Sequence, residues 1–359
     1  MPSVFRLPGE TTGLISPKSH GSENILISET QMRLRLVRYW LPAIVACLGA
    51  TASITALSAE PFPSRPIKIV VAYAAGGGTD ALVRAVSAQL STQLGQPILV
   101  DNRPGGGAVI AAEAVAKSPP DGYTIFSADN GSLIFNTALF RKLSYNPNKD
   151  FSPLGLMARD PLVLAVNPSS GFSSANELID SIRKNPGKIS YASPGIGSPH
   201  HIAMEMLKEN AKLDILHIPY KGAAPAIQDV AGGQLPLMVV DTAAGMQMIK
   251  SGKLKALATF SKARLPLLPD VPTLIELGYT DIEAVAWLGL VAPSSTPKEI
   301  IEKLSTELQK AINTPSVRTT LLNLGLEPTP SDSTGMAKHW ESESKYWPKL
   351  IRARNIHLD

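Results

Sequence analysis

Residues 67–94 read IKIVVAYAAGGGTDALVRAVSAQLSTQL, and the order of elements in this stretch decides the fold class. Ile67 to Val71 is a short β-branched run suited to a buried strand. It enters the glycines Gly76, Gly77 and Gly78, and then Thr79 and Asp80. From Asp80 the apolar residues Leu82, Val83, Val86, Leu90 and Leu94 recur with helical spacing. The chain therefore predicts a strand, a glycine-rich turn and a helix, with Thr79 or Asp80 as the N-cap. Such a turn points main-chain N–H groups and the positive end of a helix dipole at one spot, where an anion is stabilised. Glycines that merely permit a tight βα connection give the same pattern. The turn does not complete a nucleotide motif. No Lys-Ser/Thr follows the glycines as in a Walker A loop, and Ala81 stands where a dinucleotide fingerprint needs its last glycine.

Outward from this stretch the alternation continues. Pro97–Val100 reads as a second strand, Ala108–Lys117 as an alanine-rich helix and Tyr123–Ser127 as a third strand. Near residue 160 the theme restarts. Apolar runs at Leu162–Val166, Ile189–Ala192, Ile215–Ile218 and Leu235–Val240 alternate with helical stretches, and two amphipathic helices and a tryptophan-bearing helix close the chain. The βαβ order predicts α/β architecture with two doubly wound, mostly parallel sheets and flanking helices. Strand after strand ends in a small-residue turn: AAGGGTD, ADNGS, SPGIGSPHH, PYKGAAPA and VVDTAAG. Two lobes that aim such turns at one cleft describe a protein that closes on a small molecule.

The bulk properties fit that picture. The 359 residues are 44% hydrophobic and 18% charged with a formal charge of +4, which allows two globular halves. No basic cluster with interleaved aromatics points to nucleic acid. The single cysteine, Cys47, lies in the N-terminal apolar stretch, so the remainder has neither a disulfide nor a thiolate metal site. No metal or cofactor is expected. Arg33, Arg35 and Arg38 precede the apolar run Tyr39–Leu57, which ends in Ala56-Leu57-Ser58-Ala59. This is the layout of a cleaved export signal. Residues 32–59 are accordingly expected to be a signal peptide directing the protein to the periplasm, and 1–31 a non-native extension upstream of Met32. A membrane anchor, or lipid attachment at Cys47, are the competing readings.

Six stretches carry a resemblance to a known family: PSRPIKIVVAYAAGGGTDALVR (63–84), NRPGGGAVIAAEAVAKSPPDGYT (102–124), YASPGIGSPHHIAMEML (191–207), IPYKGAAPAIQDVAGGQL (218–235), GKLKALATFSKARLPLLPDVPTLIELG (252–278) and WLGLVAPSSTP (287–297). Together and in order they resemble the Bug family, the periplasmic substrate-binding proteins of tripartite tricarboxylate transporters. The resemblance implies a two-lobed, type II-like Venus-flytrap fold. Lobe 1 would comprise residues 60–160 plus 284–359, and lobe 2 residues 161–283.

The family likeness also implies a small carboxylate pinched between the lobes: a mono-, di- or tricarboxylate, or an amino acid. One carboxyl would sit on the loop containing Tyr73, Ala75, Gly76, Gly77, Gly78, Thr79 and Asp80, with Asn130 nearby. The opposing loops would contribute Ser193, Gly197, Ser198, His201, Tyr220, Gly222, Ala223 and Asp241. Tyr73 replaces a common phenylalanine, and its hydroxyl either adds a contact or its ring packs in the core. His200 lies where relatives often carry a small hydroxyl residue and reads as a solvated residue at a helix start. Lys221 is either a carboxylate partner or a solvent-facing brace. Asp241 receives a ligand donor or holds neighbouring loop amides, and Trp287 reads as packing. The implied partners are membrane permease subunits, with no nucleic acid. A ligand sensor feeding a two-component kinase is the alternative function. A hydrolase is disfavoured because no G-x-S-x-G or H-E-x-x-H motif occurs.

Overall fold

A computed structural model describes residues 61–354 and residue 356. The readings placed on residues 1–59, including the export signal and Cys47, lie outside the described residues. No helix among the described residues is long and apolar enough to cross a membrane.

The first half begins with β1 (Ile67–Val71), α1 (Gly78–Leu94), β2 (Ile98–Asn102), α2 (Val109–Ala116) and β3 (Thr124–Asp129). β1 pairs in parallel with β2 on one side and β3 on the other. Its side chains alternate between faces, as strand geometry dictates. Ile67, Ile69 and Val71 pack with Leu82, Val83, Val86 and Leu90 of α1. Val70 packs with Ala111, Ala112 and Val115 of α2 on the opposite face. Covered on both faces, the strand reads as a nearly continuous apolar run.

Then β4 (Phe151–Val166) leads into α3 (Ala175–Lys184), β5 (Ser190–Ser193), α4 (Pro199–Ala211), β6 (Leu216–Pro219), α5 (Ala223–Ala231), β7 (Leu237–Asp241), α6 (Thr242–Lys250) and β8 (Lys255–Thr259). The chain returns through β9 (Val285–Pro293) to α7 (Lys298–Asn313), α8 (Pro315–Asn323), the two-residue β10 (Glu327–Pro328) and α9 (Ser333–Ala353). β5 pairs in parallel with β6 and β7. The strand order is β2-β1-β3-β9-β4-β7-β5-β6.

Both lobes therefore hold a three-stranded parallel core, and antiparallel strands join them. β4 is the central member. Phe151–Pro161 pairs with β9, while Leu162–Val166 pairs with β7 and β8. From sequence only Leu162–Val166 is expected as a strand. Pro153, Gly155 and the adjacent charges Arg159 and Asp160 hide the first eleven residues. The ladder accommodates them with register shifts at Pro153/Gly155 and Leu156/Ala158.

Element ends also move by a few residues. α1 begins at Gly78 and not at Asp80, and its N-cap is Gly77, which has no side chain to cap with. The expectation that Thr79 or Asp80 caps this helix is thus corrected: both lie inside the first turn. β3 runs on to Asp129, which brings that carboxyl to the C-terminal end of the sheet. α4 begins at Pro199, so His200 sits in its first turn.

Candidate functional site

Among the helices that follow parallel strands, four flank the cleft: α1 from the first lobe and α4, α5 and α6 from the second. The first N–H groups of any helix lack intrahelical acceptors. Two of these starts are closed by side chains. Ser198 accepts from His201 N at 3.3 Å, and Asp241 accepts from Ala244 N at 2.7 Å. The other two, at Gly77 for α1 and Gly222 for α5, carry no side-chain cap.

These uncapped starts face one another. A Cβ built on Gly77 would lie 3.6 Å from Ala223 Cβ and 3.7 Å from Ala223 N. Gly222 has φ +143°, and a Cβ there would lie 2.7 Å from Ala74 N. Only glycine permits both that backbone angle and that approach. The lobes are bonded at this point, because Ala74 N donates to Lys221 O at 2.9 Å. The cleft is closed.

The turn before α1 is held by its own aspartate. Asp80 Oδ2 accepts from Gly76 N at 2.9 Å and from Arg84 Nε at 2.9 Å, and Oδ1 accepts from Asn102 Nδ2 at 3.0 Å. Burial raises its pKa, but the bonds from Arg84, Gly76 N and Asn102 outweigh this and hold it below the usual carboxylate range. Asn102 Nδ2 also donates to Tyr73 O. Asp80 thus shapes the turn, and its carboxyl is spent within lobe 1.

Between the lobes remains a cavity of about 20 Å³, room for one water. It is lined by Tyr73, Thr79, Asp129, Asp160, Pro194, Pro199, His200, Ala223, Asp241, Ala286 and Leu288, with neither lysine nor arginine. Tyr73 OH donates to Asp129 Oδ2 at 2.5 Å, and Asp129 Oδ1 accepts from Ser132 N at 2.8 Å. Burial, and then the Asp129 charge, push the Tyr73 phenol well up. His200 Nε2 donates to Asp241 Oδ2 at 3.0 Å. Burial pushes Asp241 up, but the His200 bond and the N–H of Ala244 bring it down on balance. Asp160 Oδ1 accepts from Thr242 Oγ1 at 2.9 Å. Burial, and then the neighbouring Asp241 charge, raise Asp160 well above the usual range and favour its protonated form.

Of the residues expected in the site, Tyr73, Thr79, Ala223 and Asp241 line this cavity. Ala75, Gly76 and Gly77 form the approach to α1, and Gly78 packs so closely on Asp241 that a Cβ would fall 2.0 Å from Oδ1. The others do not line it. Asn130 donates to Val285 O at 3.0 Å. Ser193 Oγ bonds His217 Nε2 at 2.6 Å, and Gly197 N donates to His201 Nδ1 at 3.2 Å. His201 stacks on His217 at 4.2 Å, which itself stacks on Tyr191 at 4.7 Å. This pile supports the 193–198 turn from beneath. Tyr220 OH donates to Asp229 Oδ2 at 2.5 Å. Together with Tyr73, Pro194 and the exposed Lys221 it borders an adjoining pocket of about 270 Å³.

Sequence reasoning missed Asp129 and Asp160 and misread His200. Far from being solvated, His200 is buried against Asp241, because Pro199 starts α4 and turns this residue inward. Asp160 left a signal: with Arg159 it is one of two adjacent charges inside the otherwise apolar run Leu154–Val166. On β9, Ala286 and Leu288 face the cleft while Val285 and Trp287 face a second cavity, of about 680 Å³, behind the β4/β9 pair.

Two α/β lobes joined by crossing strands, closed over a cleft at their carboxyl ends, define a periplasmic binding protein. The chain belongs to the tripartite tricarboxylate transporter receptor family, also called Bug, whose family model matches residues 82–356. A Pseudomonas protein described as lying in the tcbD-tcbE intergenic region is 37% identical over 308 residues, 86% of this chain and 91% of that one. The periplasmic binding protein BugD aligns with TM-score 0.79 and 34% identity, covering 83% of this chain and all of BugD. An R. palustris protein solved with adipate aligns with TM-score 0.80 at 34% identity, covering 83% of this chain and 100% of that one. MatC from Rhodopseudomonas palustris, with bound malate, gives 0.78 and 32%, covering 81% and 100%.

Proposed function

We propose that this protein is a periplasmic receptor that captures a small organic carboxylate between its lobes and presents it to a membrane permease. One observation carries the reading: the uncapped starts of α1 and α5 meet across the cleft at Gly77 and Ala223. A carboxylate placed there accepts main-chain N–H groups from both lobes at once. It thereby lowers the energy of the closed form and not that of the open one, which makes binding and closure one event. No lysine or arginine lines the cavity, and fixed dipoles replace a cation. Two or three charge-assisted bonds of about 1.5–3 kcal/mol each, less ordering costs, are of the size needed for micromolar affinity. Relatives solved with adipate and with malate support the ligand class.

In this reading residues 60–160 plus 284–359 move against 161–283. The bending points are the places where β4 leaves β9 for β7 and where the chain returns into β9 at Val285. Export would remove residues 32–59, leaving a periplasmic chain beginning near Glu60. Turnover of the solute is not part of this function.

The test is thermal denaturation across a library of mono-, di- and tricarboxylates. A true ligand at 100 times its dissociation constant adds about 2.7 kcal/mol of stability. A flat response to every acid would refute the receptor reading.

A further inference from the structure

Resting on the carboxylate reading, we propose that the cleft selects amino acids over the same acids lacking the amino group, with the ligand ammonium seated on Asp129, Asp241 and His200. The cavity is lined by acids from both lobes. Asp129 ends β3 of the first lobe, and Asp241 ends β7 of the second. Each spends one oxygen on a main-chain N–H three residues on: Asp129 Oδ1 on Ser132 N, and Asp241 Oδ1 on Ala244 N. Oδ2 of Asp129 accepts from Tyr73 OH, and Oδ2 of Asp241 accepts from His200 Nε2. A carboxylate oxygen accepts two hydrogen bonds, so each has capacity for another donor.

An independent observation points the same way. His200 lines the cavity, its side chain is 9% exposed, and its Nδ1 is buried with no hydrogen-bond partner. In the tautomer that places the ring proton on Nε2, bonded to Asp241, Nδ1 presents a lone pair that needs a donor. Three acceptors around a cavity without lysine or arginine match the three N–H donors of an ammonium group. A hydroxyl supplies one donor, and a methylene none, leaving buried acceptors unmet. The uncapped α1 and α5 starts remain for the carboxylate, so the two charges of a zwitterion meet opposite fields. Asp160, held toward its protonated form by burial and by Asp241, needs no second cation.

The test is calorimetry of the purified protein with matched pairs: aspartate and succinate, glutamate and glutarate, alanine and propionate, phenylalanine and 3-phenylpropionate. In any pair that binds, the amino acid is expected to bind at least about tenfold more tightly, the size of one charge-assisted bond. In Asp129→Asn that ratio, measured within each matched pair, is expected to collapse toward one; a ratio kept at its unaltered value would remove Asp129 from the ammonium seat. An equal or tighter desamino acid in the unaltered protein would overturn this inference and leave the carboxylate receptor standing. Equal binding of an amine without a carboxylate, such as ethanolamine, would overturn the carboxylate reading itself, as would silence from every compound.

Discussion

Single residues in this cleft do two jobs, and the second is what the sequence conceals. Asp80 follows a glycine turn and looks like a ligand contact, yet its carboxyl is consumed by Gly76 N, Arg84 and Asn102. His201 lies in a ligand-loop motif, yet its ring faces His217 and Gly197 N. Residue type and spacing do not reveal which way a side chain turns at a helix start; packing does. The stacked histidines carry a pH consequence. Burial, with a smaller contribution from Lys208, pushes His201 down to about 4. Burial, followed by His201 itself, pushes His217 down to about 3. In the unfolded chain both titrate near 6.5. Between those values the unfolded state binds more protons, so stability is full above about pH 6.5 and is lost as the pH falls toward 4. The loss should approach about 1.4 kcal/mol per pH unit for each histidine. Denaturant midpoints measured from pH 7 to 4 should fall accordingly, and a His201→Gln, His217→Gln double variant should fall less steeply. Equal slopes would show that the stack does not govern acid stability.

At the scale of elements, α/β alternation was legible because buried parallel strands and amphipathic helices have different periods. β1 and α1 are recognisable from Ile67 to Leu94 for that reason. The first part of β4 was not legible. A strand that bridges two sheets is bulged and carries Arg159 toward one cavity and Asp160 toward another, so neither apolar continuity nor clean alternation survives. The meeting of α1 with α5 is likewise a tertiary fact, foreshadowed only by the small residues on both sides. It makes a sharp prediction. Gly222→Ala places a methyl 2.7 Å from Ala74 N at φ +143°, so it should block closure and weaken carboxylate binding by tenfold or more. Gly77→Ala meets only ordinary contacts at 3.6 Å and should be tolerated, whereas Gly77→Val projects further into Ala223 and should not be. Calorimetry of the three variants with one acid checks the order. Full affinity in Gly222→Ala would mean that the lobes need not meet there.

Across the whole molecule, the two lobes share β4 and are tied by one main-chain bond at the cleft mouth, from Ala74 to Lys221. In the proposed reading each lobe supplies half of the anion site, and opening would separate the halves without unfolding either. The two-lobed plan was available from repeated strand–turn–helix units and from family likeness, but the closed geometry and the acids lining it were not. They depend on how far β3 and β7 extend before their helices begin. The most direct test of the central claim is a crystal structure of the protein with the acid that stabilises it most. The account predicts carboxylate oxygens within hydrogen-bond distance of main-chain N–H groups in both helix starts, Gly78–Asp80 and Ala223–Ala224, with no lysine or arginine side chain in contact. A carboxylate bound by a basic side chain, with the Gly76–Gly78 turn untouched, would contradict it.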